Sequence, residues 1–439
     1  MRKLSRGRIV ALLGTIGVAA TLTACGGGSD TAASGGCDGN IDAGAGITVQ
    51  WHQGAEAEVK AVQQMVKSFN ASQSDVKATL KLVPEADYAT SLGGQADSDS
   101  VPDVVDTDAS KAFTYAWSGD LQPITNCVSD EQKAALLPSI VRQGTYANQL
   151  WALGMFDSGL AMYTTKSALK KANVRTPSLE EPWTAEEFTA ALGEFKKAGY
   201  SKPLDLKKNY GQGEYYSYGF APIVWSSGGN LLSDDYSTAD GQLNSDAAVK
   251  GLTVFQSWFK SGYVGDNTDD NDFLSGRSAV SWVGHWTYND YKAKFGDDLL
   301  VVPLPDFGEG PRTGQGSWQW AVGSNADADA AWKFIEYTLQ PEQQKIIATA
   351  SGAIPAVTAV AEADPKFGPG GDLELYVKQH EEGISVPRPT TPAYNTVSNA
   401  FNQAIQDIID GRDVKESLDD AVKTIDQDIQ DNDGYPDPS

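Results

Sequence analysis

The chain has 439 residues, of which 41% are hydrophobic and 21% are charged, values that are ordinary for a globular protein. This length allows two domains with a large core, and the composition argues against a fibrous or disordered protein. The formal net charge of -24 repels the phosphates of nucleic acids and the headgroups of anionic lipids, which argues against a nucleic-acid-binding protein.

The first 24 residues have the layout of a secretory signal peptide. A basic start is followed by an apolar run over residues 9–22 that is too short to span a bilayer as a stable anchor. The four residues LTAC, which end at Cys25, resemble a bacterial lipobox, in which cleavage leaves a diacylglycerol-modified cysteine as the new amino terminus. Residues 25–46 are rich in small residues and predict a flexible tether. We therefore expect a bacterial protein that is lipid-anchored on the extracytoplasmic face of the cell membrane.

Two cysteines remain once Cys25 carries lipid. Cys37 and Cys127 are then an even pair in an oxidising compartment, where thiols usually pair. We predict a disulfide between them that ties the end of the tether to the first domain.

The amino-terminal part of the chain alternates predicted strands and helices. In chain order, the patterns predict a strand at 47–51, a helix at 56–70, a strand at 77–83, a helix at 85–96, a strand at 101–106 and a helix at 110–117. Such alternation is typical of parallel βα units. Residues 150–165 hold two apolar runs around a polar Asp-Ser-Gly, and we predict the first passage of the chain between two domains there.

The middle of the chain predicts two amphipathic helices on either side of an aromatic segment. Capping signals at Thr184 and Asp246 predict where these helices begin. Between them, residues 215–230 combine Tyr, Phe and Trp with Gly and Ser. This composition predicts a loop with an attractive binding surface, in which Trp225 lies beside Ser226.

Residues 278–283 predict a strand that ends abruptly in an aromatic turn. Gly284 frees the backbone for a sharp change of direction, and His285 and Trp286 follow at the carboxyl end of the strand. In open α/β sheets this edge is where ligands bind. A core position for Trp286 is the structural alternative.

The carboxyl-terminal third predicts further strands and helices. They are a strand at 299–304, a strand at 317–322 with a second passage between domains, a helix at 328–339, a Pro-rich link at 387–392 and two final amphipathic helices. Residues 433–439 predict a frayed polar tail.

Several kinds of catalytic and metal chemistry have no motif in this chain. Its three histidines match no zinc spacing, and no nucleophile elbow, phosphate-binding loop or dinucleotide fingerprint occurs. We therefore expect neither a cofactor nor a metal. A pair of carboxylates for glycoside hydrolysis stays open, because 58 acidic residues offer many pairs and no context marks one.

Aromatic residues recur beside short polar groups at the predicted ends of strands. Sugars present an apolar face of C–H bonds that stacks on flat aromatic rings, and a rim of hydroxyls that carboxylates, amides and imidazoles can bind. The clusters are Trp51-His52-Gln53, Asp106-Thr107-Asp108, Trp225-Ser226, His285-Trp286 and Trp318-Gln319-Trp320.

An ordered series of segments resembles one protein family over essentially the whole chain. The segments are the lipobox, PDVVDTDAS, YANQLWALGMFDSGLAMYTTKSALKKA, WSSGGNLLSDD, FLSGRSAVSWVGHW, VVPLPDF and PTTPAYNTVSNAFNQAIQDIIDGRDVKESLDDAV. They resemble the extracellular solute-binding lipoproteins of ABC importers, in the carbohydrate-binding branch that includes maltose-binding protein. The resemblance implies an α/β, two-lobed periplasmic-binding-protein-like fold (type II) with the ligand cleft between the lobes.

The resemblance also implies bounds for the lobes and residues for the site. Residues 47–157 with 281–319 are expected in lobe 1, and 158–280 with 320–432 in lobe 2. Position in the family pattern and the aromatic clusters together predict the ligand-binding residues His52, Gln53, Asp106, Asp108, Trp225, His285, Trp286, Trp318 and Tyr394. Lys111 and Glu56 occupy neighbouring positions in the same pattern.

The leading hypothesis is a monomeric, non-enzymatic binding protein. It would capture an oligosaccharide, close its lobes around it and deliver it to the permease subunits of an ABC importer. One alternative is an extracytoplasmic glycosidase or lyase. Another is a binding protein for a non-sugar solute such as a polyol, a glycerol phosphate diester or a peptide.

Overall fold

The structure is a computed structural model that describes residues 36–41, 44–266 and 269–437. The predicted signal peptide and the lipidation site Cys25 lie outside the described residues. The strands are β1 Ala45–Gln53, β2 Val76–Pro84, β3 Val104–Asp108, β4 Leu121–Gln122, β5 Thr145–Tyr146, β6 Gln149–Leu150, β7 Ala152–Gly154, β8 Phe156–Asp157, β9 Leu160–Thr165, β10 Leu204–Asp205, β11 Val280–Gly284, β12 Leu299–Val302, β13 Thr313–Gln315, β14 Trp318–Gly323, β15 Ile354–Pro355 and β16 Ser385–Pro387.

Helices are distributed along the whole described chain. They are α1 Glu56–Ser72, α2 Glu85–Asp97, α3 Ala112–Trp117, α4 Asp130–Ala135, α5 Pro138–Gln143, α6 Lys166–Ala172, α7 Ala185–Lys197, α8 Glu214–Ser226, α9 Asp246–Lys260, α10 Asn271–Leu274, α11 Tyr288–Phe295, α12 Ala328–Thr338, α13 Pro341–Ser351, α14 Thr358–Ala363, α15 Glu374–Glu381, α16 Tyr394–Ile409 and α17 Val414–Asp431. Short 3-10 turns lie at Ala109–Lys111, Lys208–Tyr210, His285–Thr287 and Gly296–Asp298. Among the described residues, no helix has the length and apolar character to cross a membrane.

The first sheet has the strand order β2-β1-β3-β14-β4, with β7 also paired to β14. β1 is parallel to β2 and β3, whereas β14 is antiparallel to β3, β4 and β7. Side chains alternate along β1, so Val49 and Trp51 join the core that also contains Phe69 of α1 and Phe334 of α12. We call this sheet and the helices packed on it lobe 1.

The second sheet has the order β10-β11-β9-β12, with β9 antiparallel to both neighbours. Met162 faces a core shared with α7, α8, α9, α16 and α17, while Tyr163 faces the opposite side of the sheet. We call this sheet and its helices lobe 2. The terminal pair α16 and α17 packs here because both carry continuous apolar stripes.

Three segments of the chain connect the two sheets. The first runs from β7 through β8 to β9, the second from β12 through β13 to β14, and the third enters lobe 2 through β16 and α16. β13 and β16 pair in parallel, and the Thr313 hydroxyl bonds the backbone N–H and C=O of Leu160. The three connections are therefore tied together by hydrogen bonds.

The pairing of the strands differs from the bounds expected for the lobes. β11 and β12 belong to the second sheet, although residues 281–319 were assigned to lobe 1. β14 belongs to the first sheet, and α12 packs in its core, although 320–432 were assigned to lobe 2. Apolar patterns show that a strand forms, but the sheet that it joins depends on distant partners.

Two other segments differ from their sequence-based descriptions. Residues 215–230, expected to form a loop, lie mostly in the buried helix α8, and Pro222 lies inside that helix. The tail 433–439 is not simply frayed in its described part, because Tyr435 packs edge-on against Trp117 at 4.9 Å between ring centroids. The indole N–H of Trp117 also donates to the carbonyl of Pro436.

The cysteine pair is joined as the sequence predicts. Cys37 and Cys127 form a disulfide across 90 residues of chain. The backbone N–H groups of Asp38 and Gly39 donate to the carboxylate of Asp329 at the start of α12. The segment before β1 is thus attached to lobe 1 by a covalent bond and by hydrogen bonds.

Candidate functional site

Three predicted site residues converge at one edge of the first sheet. Asp106 lies on β3 beside His52 of β1, and its carboxylate accepts the backbone N–H of His52 at 3.1 Å and contacts Nδ1 of the same residue. The His52 ring stacks on Trp318, with centroids 3.8 Å apart and planes 15° apart. β1 and β3 end at this edge and the antiparallel β14 begins there, so the three side chains meet as the parallel βα pattern predicts.

Two buried acids, Asp106 and Glu58, and the exposed Glu85 surround His52. Burial alone lowers the pKa of His52, but the charge and hydrogen bond of Asp106, with the nearby Glu58 and Glu85, raise it overall. Burial raises the pKa of Glu58 to about 7, an effect that the positive charge of His52 opposes. The acids therefore stabilise the charged form of the imidazole, whose ring lies flat against Trp318.

A wall of aromatic residues in lobe 2 surrounds Trp286. The ring of Trp286 is half-buried, and the rings of Tyr210, Tyr215 and Tyr218 lie 6.4 to 6.5 Å from it between centroids. The indole N–H donates to the Tyr210 hydroxyl at 3.2 Å. The rings of Trp286, Tyr210 and Tyr215 are partly exposed and offer apolar surface of the kind on which a sugar ring can stack.

Position 284 has to be a glycine because the ring of Trp286 packs against the backbone there. A Cβ at Gly284 would lie 1.9 Å from Cζ3 of Trp286, far inside van der Waals contact. The φ of Gly284 is -93°, so the requirement is for space and not for a left-handed backbone. Glycine thus allows the indole ring to fold back over the end of β11.

Arg388 connects the two lobes at the site. It follows β16 in the third connection, is 3% exposed, and forms ion pairs with Asp108 of lobe 1 and, at 2.6 Å, with Glu214 of lobe 2. Lys111 of lobe 1 reaches the other oxygen of Glu214 at 3.4 Å. The guanidinium also lies 5.1 Å from the ring centroid of Tyr218. Asp108, the partner of Trp318 in the pairing of β3 with β14, is thus joined through Arg388 to Tyr218, whose ring centroid lies 6.4 Å from that of Trp286.

The electrostatics of this cluster depend on its two cations. Burial by itself raises the pKa of Glu214, but Arg388 and Lys111 outweigh burial and lower it. Burial raises the pKa of Asp108, and the attraction of Arg388 offsets only part of that rise. Two carboxylates and two cations balance in formal charge, so the junction suits an uncharged ligand better than an anionic one.

Six of the predicted binding residues are buried, namely His52, Asp106, Asp108, Trp225, His285 and Tyr394. Trp225 is 7% exposed, packs in the lobe 2 core, and donates its indole N–H to Asn230. His285 is 4% exposed, and its Nδ1 lies 2.7 Å from the carbonyl of Ser351. The indole N–H of Trp225 and the Nδ1 of His285 are therefore occupied by protein partners in this structure.

The remaining predicted residues lie at the edges of the junction. Gln53 is exposed at the end of β1. Tyr394, the first residue of α16, is fully buried, and its hydroxyl donates to Glu214 at 2.5 Å. Tyr394 therefore orients a carboxylate of the cluster, whereas Gln53 is free to meet solvent or a ligand.

The burial of His285 can be tested through the pH dependence of the free energy of unfolding. Burial lowers its pKa from 6.5 to about 4, while the hydrogen bond to Ser351 opposes the shift. The unfolded chain therefore binds this proton first as the pH falls, which lowers the free energy of unfolding by about 1.4 kcal/mol per unit between pH 6.5 and 4. Urea denaturation of the wild type and His285→Asn at several pH values measures the difference. If the two unfolding free energies run parallel with pH, His285 is not buried in its neutral form.

The sequence patterns did not identify four residues of the site. Arg388 and Glu214 are 174 residues apart in the chain, and no local sequence pattern indicates that they pair. Tyr218 lies in the aromatic segment 215–230, but its helix was not predicted, and Tyr210 lies in a turn before that segment. The density of aromatic residues in 210–220 was the available signal. Among the described residues, no group of His, Cys, Asp and Glu is arranged to hold a metal ion.

Comparison with known families gives a match over most of the chain. The sequence profile of the bacterial extracellular solute-binding proteins matches residues 64–368. A maltooligosaccharide ABC transporter solute-binding lipoprotein of Streptococcus pneumoniae is 24% identical over 96% of this chain and 97% of its own length. A galactooligosaccharide-binding protein of Bacillus subtilis is 20% identical over 83% of this chain and 85% of its own length.

Solved structures share the fold. The GacH receptor of Streptomyces glaucescens, known unliganded and with acarbose, is 22% identical, has a TM-score of 0.74, and aligns over 91% of this chain and all of its own. The cyclic alpha-maltosyl-1,6-maltose binding protein of Arthrobacter globiformis is 24% identical with a TM-score of 0.71, over 88% of this chain and 99% of its own. These similarities confirm the predicted two-lobed type II fold.

Proposed function

The chain belongs to the family of bacterial extracellular solute-binding proteins, and we propose that it captures an oligosaccharide outside the cell for the permease of an ABC importer. The observation that carries the proposal is the connection of Asp108, the strand-pairing partner of Trp318, through Arg388 to Tyr218 beside Trp286. Aromatic faces on both lobes flank polar groups there, which is the combination that a sugar needs. Two relatives named for binding oligosaccharides, the maltooligosaccharide-binding lipoprotein and the galactooligosaccharide-binding protein, agree with it.

The proposed contacts divide by chemistry. Trp286 and Trp318 stack on sugar rings, while Asp108, Gln53 and the His52–Asp106 pair accept or donate hydrogen bonds to hydroxyls. Tyr210 and Tyr218 extend the apolar wall. A ligand that touches both lobes binds their closed arrangement better than an open one, and so shifts the equilibrium toward closure without making or breaking a bond.

The remaining parts of the proposal concern the attachment of the protein and its state of assembly. A lipid anchor at Cys25 would keep the binding protein near its permease, and the lipoprotein names of the relatives support it. A diacylated cysteine is the chemistry that gives stable retention, because one acyl chain binds membranes only marginally. We propose that the protein acts as a monomer, because the site is built within one chain from both lobes.

Trp286→Ala should weaken the affinity for maltotetraose by about 1 to 3 kcal/mol, because it removes a stacking surface. Isothermal titration calorimetry of purified protein measures the change. Trp225→Phe is the matched control and should keep the wild-type affinity, since Trp225 is enclosed in the lobe 2 core. Equal affinities for wild type and Trp286→Ala would contradict the proposed binding site. Loss of affinity in Trp225→Phe alone would place the binding site at Trp225 instead.

A further inference from the structure

Lys207 is a lysine in two unfavourable circumstances at once. Its side chain is fully buried, and its backbone has the left-handed conformation, with φ 53° and ψ 41°. A buried ammonium loses its hydration, and a left-handed backbone strains any residue with a Cβ. A glycine would avoid both costs and an apolar residue would avoid the loss of hydration, so the lysine at this position has to be explained by what it holds.

Two carboxylates and one aromatic ring enclose the Lys207 ammonium. Its Nζ lies 2.9 Å from Asp205 at the end of β10 and 3.3 Å from Asp270, and it also donates to the Asp270 carbonyl at 3.2 Å. The ring centroid of Tyr291 is 5.7 Å away. The backbone N–H of Lys207 donates to the other oxygen of Asp205 at 3.0 Å. Side chain and backbone are therefore both fixed to the end of the second sheet.

The turn at Lys208–Tyr210 connects Lys207 to the aromatic wall around Trp286. The N–H of Tyr210 donates to the carbonyl of Lys207 at 3.0 Å. The Tyr210 hydroxyl in turn accepts the indole N–H of Trp286, and its ring packs edge-on against Tyr215 at 4.8 Å. Asn209 donates to Asp270, the same acid that holds Lys207. The turn is thus bonded to Lys207 and Asp270 on one side and to Trp286 on the other.

We propose that Lys207 is a positioning residue that holds Tyr210 against Trp286 and thereby sets the shape of the sugar-stacking wall. This inference rests on the proposed function, because the wall matters only if it binds a ligand. Lys207 itself touches no ligand, since its side chain has no exposed surface. Its effect reaches the site through the turn at Lys208–Tyr210.

The hydrogen bond of the Trp286 indole reports this positioning without any ligand. Hydrogen exchange of its N–H is followed by two-dimensional NMR, with the signal assigned by its loss in Trp286→Phe. Lys207→Met, which keeps the length of the side chain and removes the charge, should speed this exchange about tenfold, the change that corresponds to one lost hydrogen bond. Lys208→Met is the matched control and should leave the exchange unchanged, because Lys208 is partly exposed and reaches Asp266 only at 3.9 Å.

A second variant decides the matter if Lys207→Met does not fold. Asp270→Asn keeps the Asp205 pair but weakens the hold on both Lys207 and Asn209, and it should speed the exchange in the same direction. A folded Lys207→Met with wild-type exchange would overturn the inference, as would wild-type exchange in Asp270→Asn when Lys207→Met is unfolded. Titration with maltotetraose tests the proposed binding site separately from the positioning role of Lys207. If Trp286→Ala, which removes the aromatic surface, binds like the wild type, the proposed site fails, whereas the exchange rates still decide the role of Lys207.

Discussion

Arg388→Leu should lower the free energy of unfolding by about 3 to 5 kcal/mol, the usual result of removing one partner from a buried ion pair. The substitution leaves the carboxylates of Asp108 and Glu214 close together without their shared cation. Lys111 still reaches Glu214, so Asp108 suffers the larger loss. Leucine fills much of the space of the arginine stem, which keeps a packing defect from dominating the result.

Urea denaturation at neutral pH measures this change, and Arg412→Leu is its control. Arg412 also contacts two acids, Asp407 and Asp420, but its side chain is 41% exposed. Exposed pairs contribute little, so the control should change the unfolding free energy by less than about 1 kcal/mol. Similar losses in the two variants would show that the charge cluster of Arg388 is solvated, contrary to the structure.

A combined variant separates the ion pairs from the packing. If Asp108→Asn is added to Arg388→Leu, the unpaired charge on lobe 1 disappears, and part of the lost stability should return. The same variants should bind maltotetraose more weakly than the wild type, because Arg388 is the link between the two walls of the site. A stable double variant with wild-type affinity would limit Arg388 to a structural role.

The role of Arg388 also explains how the site can be shared between the lobes. The residue lies in a connection, so a movement of one lobe relative to the other changes its distance to at least one of its two acids. In this structure Arg388 pairs with Asp108 of lobe 1 and Glu214 of lobe 2 at the same time. A bound sugar would add contacts to that same arrangement, which is the differential affinity that closure requires.

Local sequence patterns predicted those helices that have one buried face and one exposed face. α1 and the two final helices bury one face and expose the other, so their apolar residues recur at helical spacing. The capping box at Thr184 is visible in the sequence and is formed in the structure. For the helix at 246–260 the cap is Ser245, one residue before the predicted Asp246.

The helix α8 was missed because it is buried on nearly every side. All its residues from Tyr216 to Ser226 are buried, so no polar face is left to mark a period. Gly219 and Pro222 then read as loop residues, although the surrounding core holds them in a helix. The tertiary environment thus overrides the local preference.

The candidate site was predicted in part for a similar reason. His52, Asp106 and Trp318 follow or begin strands, and the ends of neighbouring strands meet at one edge of a sheet. Arg388, Glu214 and Lys207 act through partners that are distant in the chain or through a turn of unusual backbone, which composition does not reveal. An aromatic beside a serine, as at Trp225, looks the same in the sequence whether it lies in a core or in a cleft.

Replacing both Cys37 and Cys127 by serine should lower the free energy of unfolding by about 4 to 5 kcal/mol, the value that chain entropy predicts for a closed loop of this length. The loop spans 90 residues and contains β1, β2, β3 and β4, which are four of the six strands of the first sheet. Without the bond, the segment at 36–41 keeps its hydrogen bonds to Asp329, and these are exposed and contribute little.

Denaturation with and without dithiothreitol measures the contribution of the disulfide. Reductant should lower the stability of the wild type to that of the double serine variant and leave the variant unchanged. A wild type that is indifferent to reductant would show that the bond does not form in solution. The affinity for maltotetraose under folding conditions should be the same with and without the bond, because neither cysteine contacts the residues that join Trp318 to Trp286. Loss of affinity together with stability would instead place the disulfide in the support of the site, since lobe 1 supplies His52, Asp106 and Asp108.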